Sequence, residues 1–249
     1  MDHVKLLMAI AIFLIAIIAG IWPFKKKHQD HTHLDFPAGE AIACGVFLGA
    51  GLIHMLGDSA QGFIDAGYHY PFAFLIAGAS FLFLLLLEHV GNELQEHHKG
   101  AGKGMALLAT LMLSLHSLFE GAAVGISASL VTASVLAFAI IAHKWAASFS
   151  LSLQINKSHL SLTAGLSCFL IFAIMTPLGI VLGDLVNQAT DSYHLLTPIF
   201  SALAAGTFLY IGTLHGLRRA TMIERCCNMR EFSFMILGFA IMAVVAIWT

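Results

Sequence analysis

The residues best suited to chemistry in this 249-residue chain are histidines and carboxylates that lie inside long apolar stretches. His116 and Glu120 are four residues apart, so on a helix their side chains share one face. An imidazole nitrogen and a carboxylate oxygen at this spacing can bind one divalent cation, and the combination suits Zn²⁺ and, less selectively, Fe²⁺, Mn²⁺ or Cd²⁺. The alternative for one such pair is a polar contact that only holds helices together.

Two further apolar stretches also carry a histidine. His54 precedes Asp58 by four residues, which repeats the histidine–carboxylate spacing, and His143 is followed directly by Lys144. A lysine inside an apolar helix needs a carboxylate partner or a water-filled path. We therefore expect Lys144 to face Glu120 or such a path. Three histidines on separate stretches favour one shared metal site over three unrelated structural roles.

The elements that must position these side chains are membrane-spanning helices. The chain is 59% hydrophobic and 10% charged, whereas soluble domains carry about 25% charged residues. The apolar runs reach the length of about 20 residues that a spanning helix needs and are too long for barrel strands. Gly121 and Gly125 are expected to keep the fourth span thin for close packing. We predict an all-α integral membrane protein, an eight-helix transmembrane bundle forming one domain over residues 1–249, with spans at roughly 6–24, 38–57, 71–90, 104–126, 130–155, 161–186, 195–217 and 232–248.

The positive charges predict an orientation for these spans. When the connections are numbered alternately, ten of the twelve Lys and Arg lie on one side, Lys5 lies on the other, and Lys144 lies inside a span. The positive-inside rule then places both termini on the extracytoplasmic side. Glu88 ends the third span near the cytoplasm, where a snorkelling carboxylate and a role in ion exit or proton coupling both stay open. The ten cytoplasmic charges are Lys25, Lys26, Lys27, Lys99, Lys103, Lys157, Arg218, Arg219, Arg225 and Arg230.

Composition and motifs argue against other classes of function. With 12 basic and 14 acidic residues, the chain has no basic excess for binding nucleic acid. The four cysteines form no CxxC pair, which argues against a zinc knuckle or a disulfide framework. An intramembrane metalloenzyme needs three or more ligands and an activated water. No HxxxH, HxxHH or HExxH cluster is present, so an enzyme is only the weaker alternative.

Several segments, in order along most of the chain, resemble the ZIP family (Zrt/Irt-like metal-ion transporters), and are most similar to the branch that includes the human ZIP1–ZIP3 type. Eight spans with both termini outside is also the topology of that family. The matching segments are GVFL at 45–48 leading to HM at 54–55, HSLFEGAAVG at 116–125, HK at 143–144 with SFSLSL at 148–153, TPLGI at 176–180 and AAGTFLY at 204–210.

The resemblance implies a transporter that moves a divalent metal ion, with zinc expected, into the cytoplasm by alternating access. His116 and Glu120 match the family's ligands on the fourth span. His143 matches the ligand position on the fifth span, and His54 matches a contributor on the second. Direction does not follow from physics, so export stays an alternative, as does a structural or receptor-like bundle whose histidines only hold helices together.

The resemblance also implies how the site departs from that of many relatives. Their second, adjacent metal site falls here on Ser117 and Lys144, and a protonated ammonium cannot coordinate a cation. A further ligand position of other branches falls on Ala147, which cannot coordinate either. We therefore predict a mononuclear site, with Lys144 standing in the place of a second metal. This histidine-rich, carboxylate-poor donor set favours Zn²⁺.

The remaining expectations concern the pathway and its surroundings. Asp58 and Glu88, with Ser117 and Lys144, are expected to line the route of the ion. Zn²⁺ is expected as transported substrate, with Cd²⁺, Fe²⁺ and Mn²⁺ as alternatives, and no organic cofactor is expected. The expected partners are the divalent ion and the lipid bilayer, a homodimer is compatible with the sequence, and the expected location is the plasma (cell inner) membrane.

Overall fold

The structure is a computed structural model of the chain, and it describes residues 3–27, 36–96, 101–127, 129–158, 160–189, 195–217 and 229–248. These residues form nine α-helices and two π-helical segments. They are α1 (His3–Lys27), α2 (Pro37–Gly49), the first π segment (Ala50–Met55), α3 (Leu56–Asp65), α4 (Phe72–Glu96), α5 (Ala101–Ile126), α6 (Leu130–Lys157), α7 (Leu162–Ala189), α8 (Leu196–Tyr210), the second π segment (Ile211–Leu217) and α9 (Met229–Val245).

The all-α fold is confirmed, and each predicted span corresponds to a helical rod. α2, the first π segment and α3 form one rod, and α8 continues into the second π segment. Seven of the described rods are long and apolar enough to cross a bilayer. α9, the counterpart of the eighth predicted span, has 17 residues. The location of the termini stays a prediction, because the connections 28–35, 97–100 and 218–228 lie outside the described residues.

Large apolar side chains cover the outside of the bundle. Leu7 and Ile18 on α1 are 65% and 71% exposed, and Leu82 on α4 is 62% exposed. Soluble proteins seldom expose broad apolar surfaces of this kind, whereas lipid tails solvate them. The outer faces of α1 and α4 therefore fit a bilayer.

The helices pack in two groups. α1, α5, α6 and α7 pack mainly on one another and are called here the α5 group. α2, α3, α4, α8, α9 and the two π segments pack mainly on one another and are called the α8 group. The groups meet chiefly where α5 lies on α8, with smaller contacts of α2 on α6 and of α4 on α5. The predicted site residues are distributed over both groups.

Glycines allow α5 and α7 to approach each other backbone to backbone. A Cβ at Gly121 would overlap the carbonyl oxygen of Thr176, and Gly125 lies equally close to the backbone of α7. From the opposite side, Cβ atoms at Gly179 and Gly183 would overlap carbonyl oxygens of α5. Small residues permit this kind of helix packing in lipid. The prediction that Gly121 and Gly125 thin this helix is confirmed.

A buried ion pair fixes the first helix to the rest of the α5 group. Lys5 is 3% exposed, and its Nζ donates to Asp184 Oδ1 on α7 at 3.1 Å and to the carbonyl oxygen of Gly125 at 2.7 Å. Gln188 Nε2 donates to the other Asp184 oxygen at 2.6 Å. Since the Gly125 carbonyl lies in the last turn of α5, the ammonium also stabilises the negative end of that helix.

The π segments lie on the two spans of the α8 group that flank the boundary. A π turn bonds residue i to i+5 and is found mostly at functional positions. The first segment contains His54, which is 4% exposed. The sequence predicts uninterrupted α-helix here, because neither segment contains a proline that would mark a break.

Candidate metal centre

Three of the predicted ligands converge in the interior of the bundle. His116 and Glu120 project from one face of α5, and His143 projects toward them from α6. Glu120 Oε1 lies 3.1 Å from His116 Nε2 and 2.6 Å from His143 Nε2. One ligating atom from each residue lies within 4.8 Å of the other two. All three residues are buried, with exposures of 1%, 6% and 0% respectively.

These ligating atoms are left without hydrogen bonds. His116 Nε2, both carboxylate oxygens of Glu120 and both ring nitrogens of His143 are buried, and among the described residues none of them has a partner with hydrogen-bond geometry, although Glu120 Oε1 faces both Nε2 atoms at ion-pair distance. Burying a polar group without a partner costs about 1–3 kcal/mol, and more when the group is charged. A divalent cation between α5 and α6 would satisfy these atoms, because it accepts their lone pairs directly.

The second ring nitrogen of His116 lies within hydrogen-bond distance of two residues of the α8 group. Nδ1 lies 2.6 Å from Thr207 Oγ1 and 3.1 Å from the carbonyl oxygen of Ala204, both on α8. Phe208 stacks on the His116 ring at a centroid distance of 3.7 Å and meets the His143 ring edge-on at 5.0 Å. Outer contacts of this kind orient a metal-binding imidazole. The sequence gives these α8 residues only as part of the family resemblance, without a role.

His54 stands apart from the three convergent donors. It is not among the residues whose ligating atoms lie within 4.8 Å of one another in the described part of the chain. Its Nδ1 lies 2.8 Å from Asp58 Oδ2, one turn further along the same rod. Its part as a fourth ligand stays a prediction.

Comparison with known proteins places the chain among transporters. The sequence model of a family described as ZIP zinc transporter matches residues 2–106 and 92–246, which together are nearly the whole chain. The chain belongs to the ZIP family. It is 28% identical to zinc transporter ZIP2 of Mus musculus over 98% of both chains. It is also 36% identical to zinc transporter ZIP1 of Mus musculus over 55% of this chain and 42% of that protein.

Lys144 of this ZIP protein has partners other than those predicted. It is 1% exposed, and its Nζ donates to Ser117 Oγ at 2.7 Å and to Thr176 Oγ1 at 2.8 Å. The ammonium also lies 4.2 Å from the centre of the Phe172 ring, which attracts a cation. Lys144 was expected to face Glu120 or a water-filled path. Its hydrogen bonds go instead to hydroxyls on α5 and α7.

Glu88, the predicted auxiliary residue on α4, is hydrogen-bonded across the α8 group. The hydroxyl of Tyr210 on α8 donates to its carboxylate. Glu88 also lines a cavity of about 270 Å³ between α4 and α5, together with Gly91, Met105 and Leu108. The carboxylate is therefore fixed on the boundary between the two groups. Its role in ion exit or proton coupling stays a prediction.

Proposed function

We propose that this chain carries Zn²⁺ into the cytoplasm through a mononuclear site formed by His116, Glu120 and His143. The observation that carries the proposal is the convergence of three buried donor groups whose facing atoms have no hydrogen bond within the described part of the chain. Two imidazoles and one carboxylate are a common donor set for zinc sites with an open position. Membership of a zinc transporter family supports zinc over other ions. His54 is proposed as a further donor along the route of the ion.

The charge of the site favours transient binding. One carboxylate against a dication leaves a net positive charge, so the ion is held less firmly than in a structural zinc site. A carrier needs this compromise, since the ion must also leave. The same donor set accepts Cd²⁺, Fe²⁺ and Mn²⁺, and competition for uptake would rank these ions.

Lys144 limits the site to one ion under this proposal. Its ammonium is anchored by Ser117 and Thr176 on two different helices, so it cannot easily swing away. A fixed positive charge at this position repels a second dication in a medium of low dielectric constant. Lys144 thus acts as a permanent substitute for the second metal ion that the family resemblance implies.

Alternating access is proposed to occur between the two helical groups. The three proposed ligands belong to the α5 group, which is bound together by the close packing of α5 on α7 and by the Lys5–Asp184 ion pair. Displacement of that group along the α8 group would carry the ligands between the two sides of a bilayer. Import through the plasma membrane, with both termini outside, rests on the positive-inside bias and on the family.

Uptake of ⁶⁵Zn²⁺ into sealed proteoliposomes tests the proposal. Wild type is expected to accumulate zinc, and His116→Ala is expected to fall to the level of empty vesicles. His3→Ala is the matched control, because it removes an exposed histidine at the start of α1. Lys144→Ala then shows whether the ammonium is needed for transport or only excludes a second ion. Folded wild type that carries no zinc would contradict the proposal, and turnover of lipid in its place would favour the enzyme alternative.

A further inference from the structure

His116 is connected to the α8 group by a short chain of hydrogen bonds. Its Nδ1 lies 2.6 Å from Thr207 Oγ1, and that hydroxyl lies 2.6 Å from the carbonyl oxygen of Ala204 and donates to it. His116 Nδ1 also lies 3.1 Å from the same carbonyl oxygen. All three residues are buried, with exposures of 1%, 3% and 1%, so the chain is shielded from water.

The chemistry of these groups fixes which atom carries each hydrogen. A carbonyl oxygen only accepts, and a threonine hydroxyl has a single proton to donate. Because Thr207 gives its proton to Ala204, its oxygen is left to accept, and His116 Nδ1 must donate. In the neutral form that binds a metal, the hydrogen is therefore on Nδ1 and the lone pair on Nε2. That Nε2 is the atom 3.1 Å from Glu120 Oε1, and it has no hydrogen bond of its own.

We propose that Thr207 is a positioning residue for the metal site and that it makes zinc affinity depend on the register of the two helical groups. It holds His116 in the tautomer and ring orientation that direct Nε2 at the ion, as outer partners of zinc-bound imidazoles do. This inference rests on the proposed function. Since Thr207 lies on α8 and all three ligands lie on the α5 group, displacement of α5 along α8 withdraws the hydrogen bond. The site binds zinc more tightly in the present register and releases it more readily in the other.

Zinc binding by purified, detergent-solubilised protein tests this role with Thr207→Val, which removes the hydroxyl and keeps the shape. The carbonyl of Ala204 remains as a second acceptor, so the loss is partial. We expect affinity to fall about tenfold by calorimetric titration, the low end of the range for such partners. Thr207→Ser is expected to restore binding. Thr110→Val is the matched control, because Thr110 is also buried and its hydroxyl donates to Ala106 on its own helix.

A spectroscopic readout separates positioning from a general effect on packing. In the metal-free wild type, ¹⁵N spectra are expected to show His116 protonated at Nδ1, with His116→Asn used to assign the signal. Thr207→Val should add a population protonated at Nε2. In proteoliposomes the same variant should raise KM, because zinc is bound less tightly in the present register. Should Thr207→Val fail to fold, Thr207→Ala is the second variant for all three measurements.

Two outcomes are distinguishable. Wild type that binds and carries zinc, with Thr207→Val equal to Thr110→Val in affinity and tautomer, would overturn the role of Thr207 and leave the proposed function intact. Wild type that binds no zinc would overturn both.

Discussion

Replacement of Gly121 by alanine should test the close packing of α5 on α7 separately from the intrinsic stability of the helices. A Cβ at this position would overlap the backbone carbonyl oxygen of Thr176, so the two helices must move apart. Overpacking of this kind costs about 1–3 kcal/mol. Alanine recovers roughly 0.5–1 kcal/mol of that through its better helix propensity. Because the overlapped oxygen belongs to the backbone and cannot rotate away, the upper end of this cost applies, and we expect Gly121→Ala to lose about 2–2.5 kcal/mol of the free energy of unfolding.

Gly78→Ala is the matched control, because a Cβ there would have no atom within 4 Å. It should be neutral or slightly stabilising. Thermal unfolding in detergent measures the difference, which corresponds to roughly 2–4 °C in Tm for each kcal/mol in a chain of this size. Zinc uptake should also fall in Gly121→Ala, since Thr176 is a hydrogen-bond acceptor for Lys144. Equal Tm and equal uptake in the two variants would refute the close packing of α5 on α7.

Three further predictions concern charges. Lys5→Met should lower the free energy of unfolding by about 1.5–3 kcal/mol in chemical denaturation, because it removes an ammonium that donates to both Asp184 and the Gly125 carbonyl oxygen. The same change should cost less when Asp184 is already Asn, and an equal loss in both backgrounds would argue against the pair. Lys157 on α6 is bonded to Glu40 on α2, across the boundary between the two helical groups, and this ion pair should restrain their displacement. If the pair contributes about 1 kcal/mol to the barrier, either Lys157→Gln or Glu40→Gln should raise the maximal uptake rate by up to about fivefold. The double variant that exchanges the two charges, Lys157→Glu with Glu40→Lys, should return to the wild-type rate. Single variants that transport zinc at the wild-type rate would show that the ion pair does not restrain the displacement. Uptake should weaken as pH falls from about 7.5 to 5, because protonated histidines do not bind metal; a flat pH profile would contradict histidine ligation.

The helical spans follow from the sequence because each is a local property. A run of about 20 apolar residues is sufficient to identify a spanning helix. The His116–Glu120 face is equally local, since a spacing of four residues places both side chains on one side of any helix. That His143 joins them depends on how α6 packs against α5. Here the sequence contributed only the number of histidines, and the resemblance to the ZIP family contributed the pairing.

The contacts that the sequence did not predict join different helices. Lys144 bonds to Thr176, 32 residues away on α7, and a choice between hydroxyl and carboxylate partners requires the packing of three helices. His54 lies in a π segment, where the extra residue per turn changes the direction of its side chain relative to an α-helix. Thr207 has no distinguishing spacing, and its role emerges only from its 2.6 Å approach to His116.

X-ray absorption of zinc-loaded, purified protein tests for a single zinc ion at His116, Glu120 and His143, because it reports both the number and the type of ligands. The spectrum should show one zinc ion per chain, with two imidazoles at about 2.0–2.1 Å, oxygen as the other donor and no neighbouring metal. His143→Ala should remove one imidazole from the spectrum. Sulfur ligands, a zinc–zinc distance, or a spectrum unchanged in His143→Ala would contradict a single zinc ion held between α5 and α6.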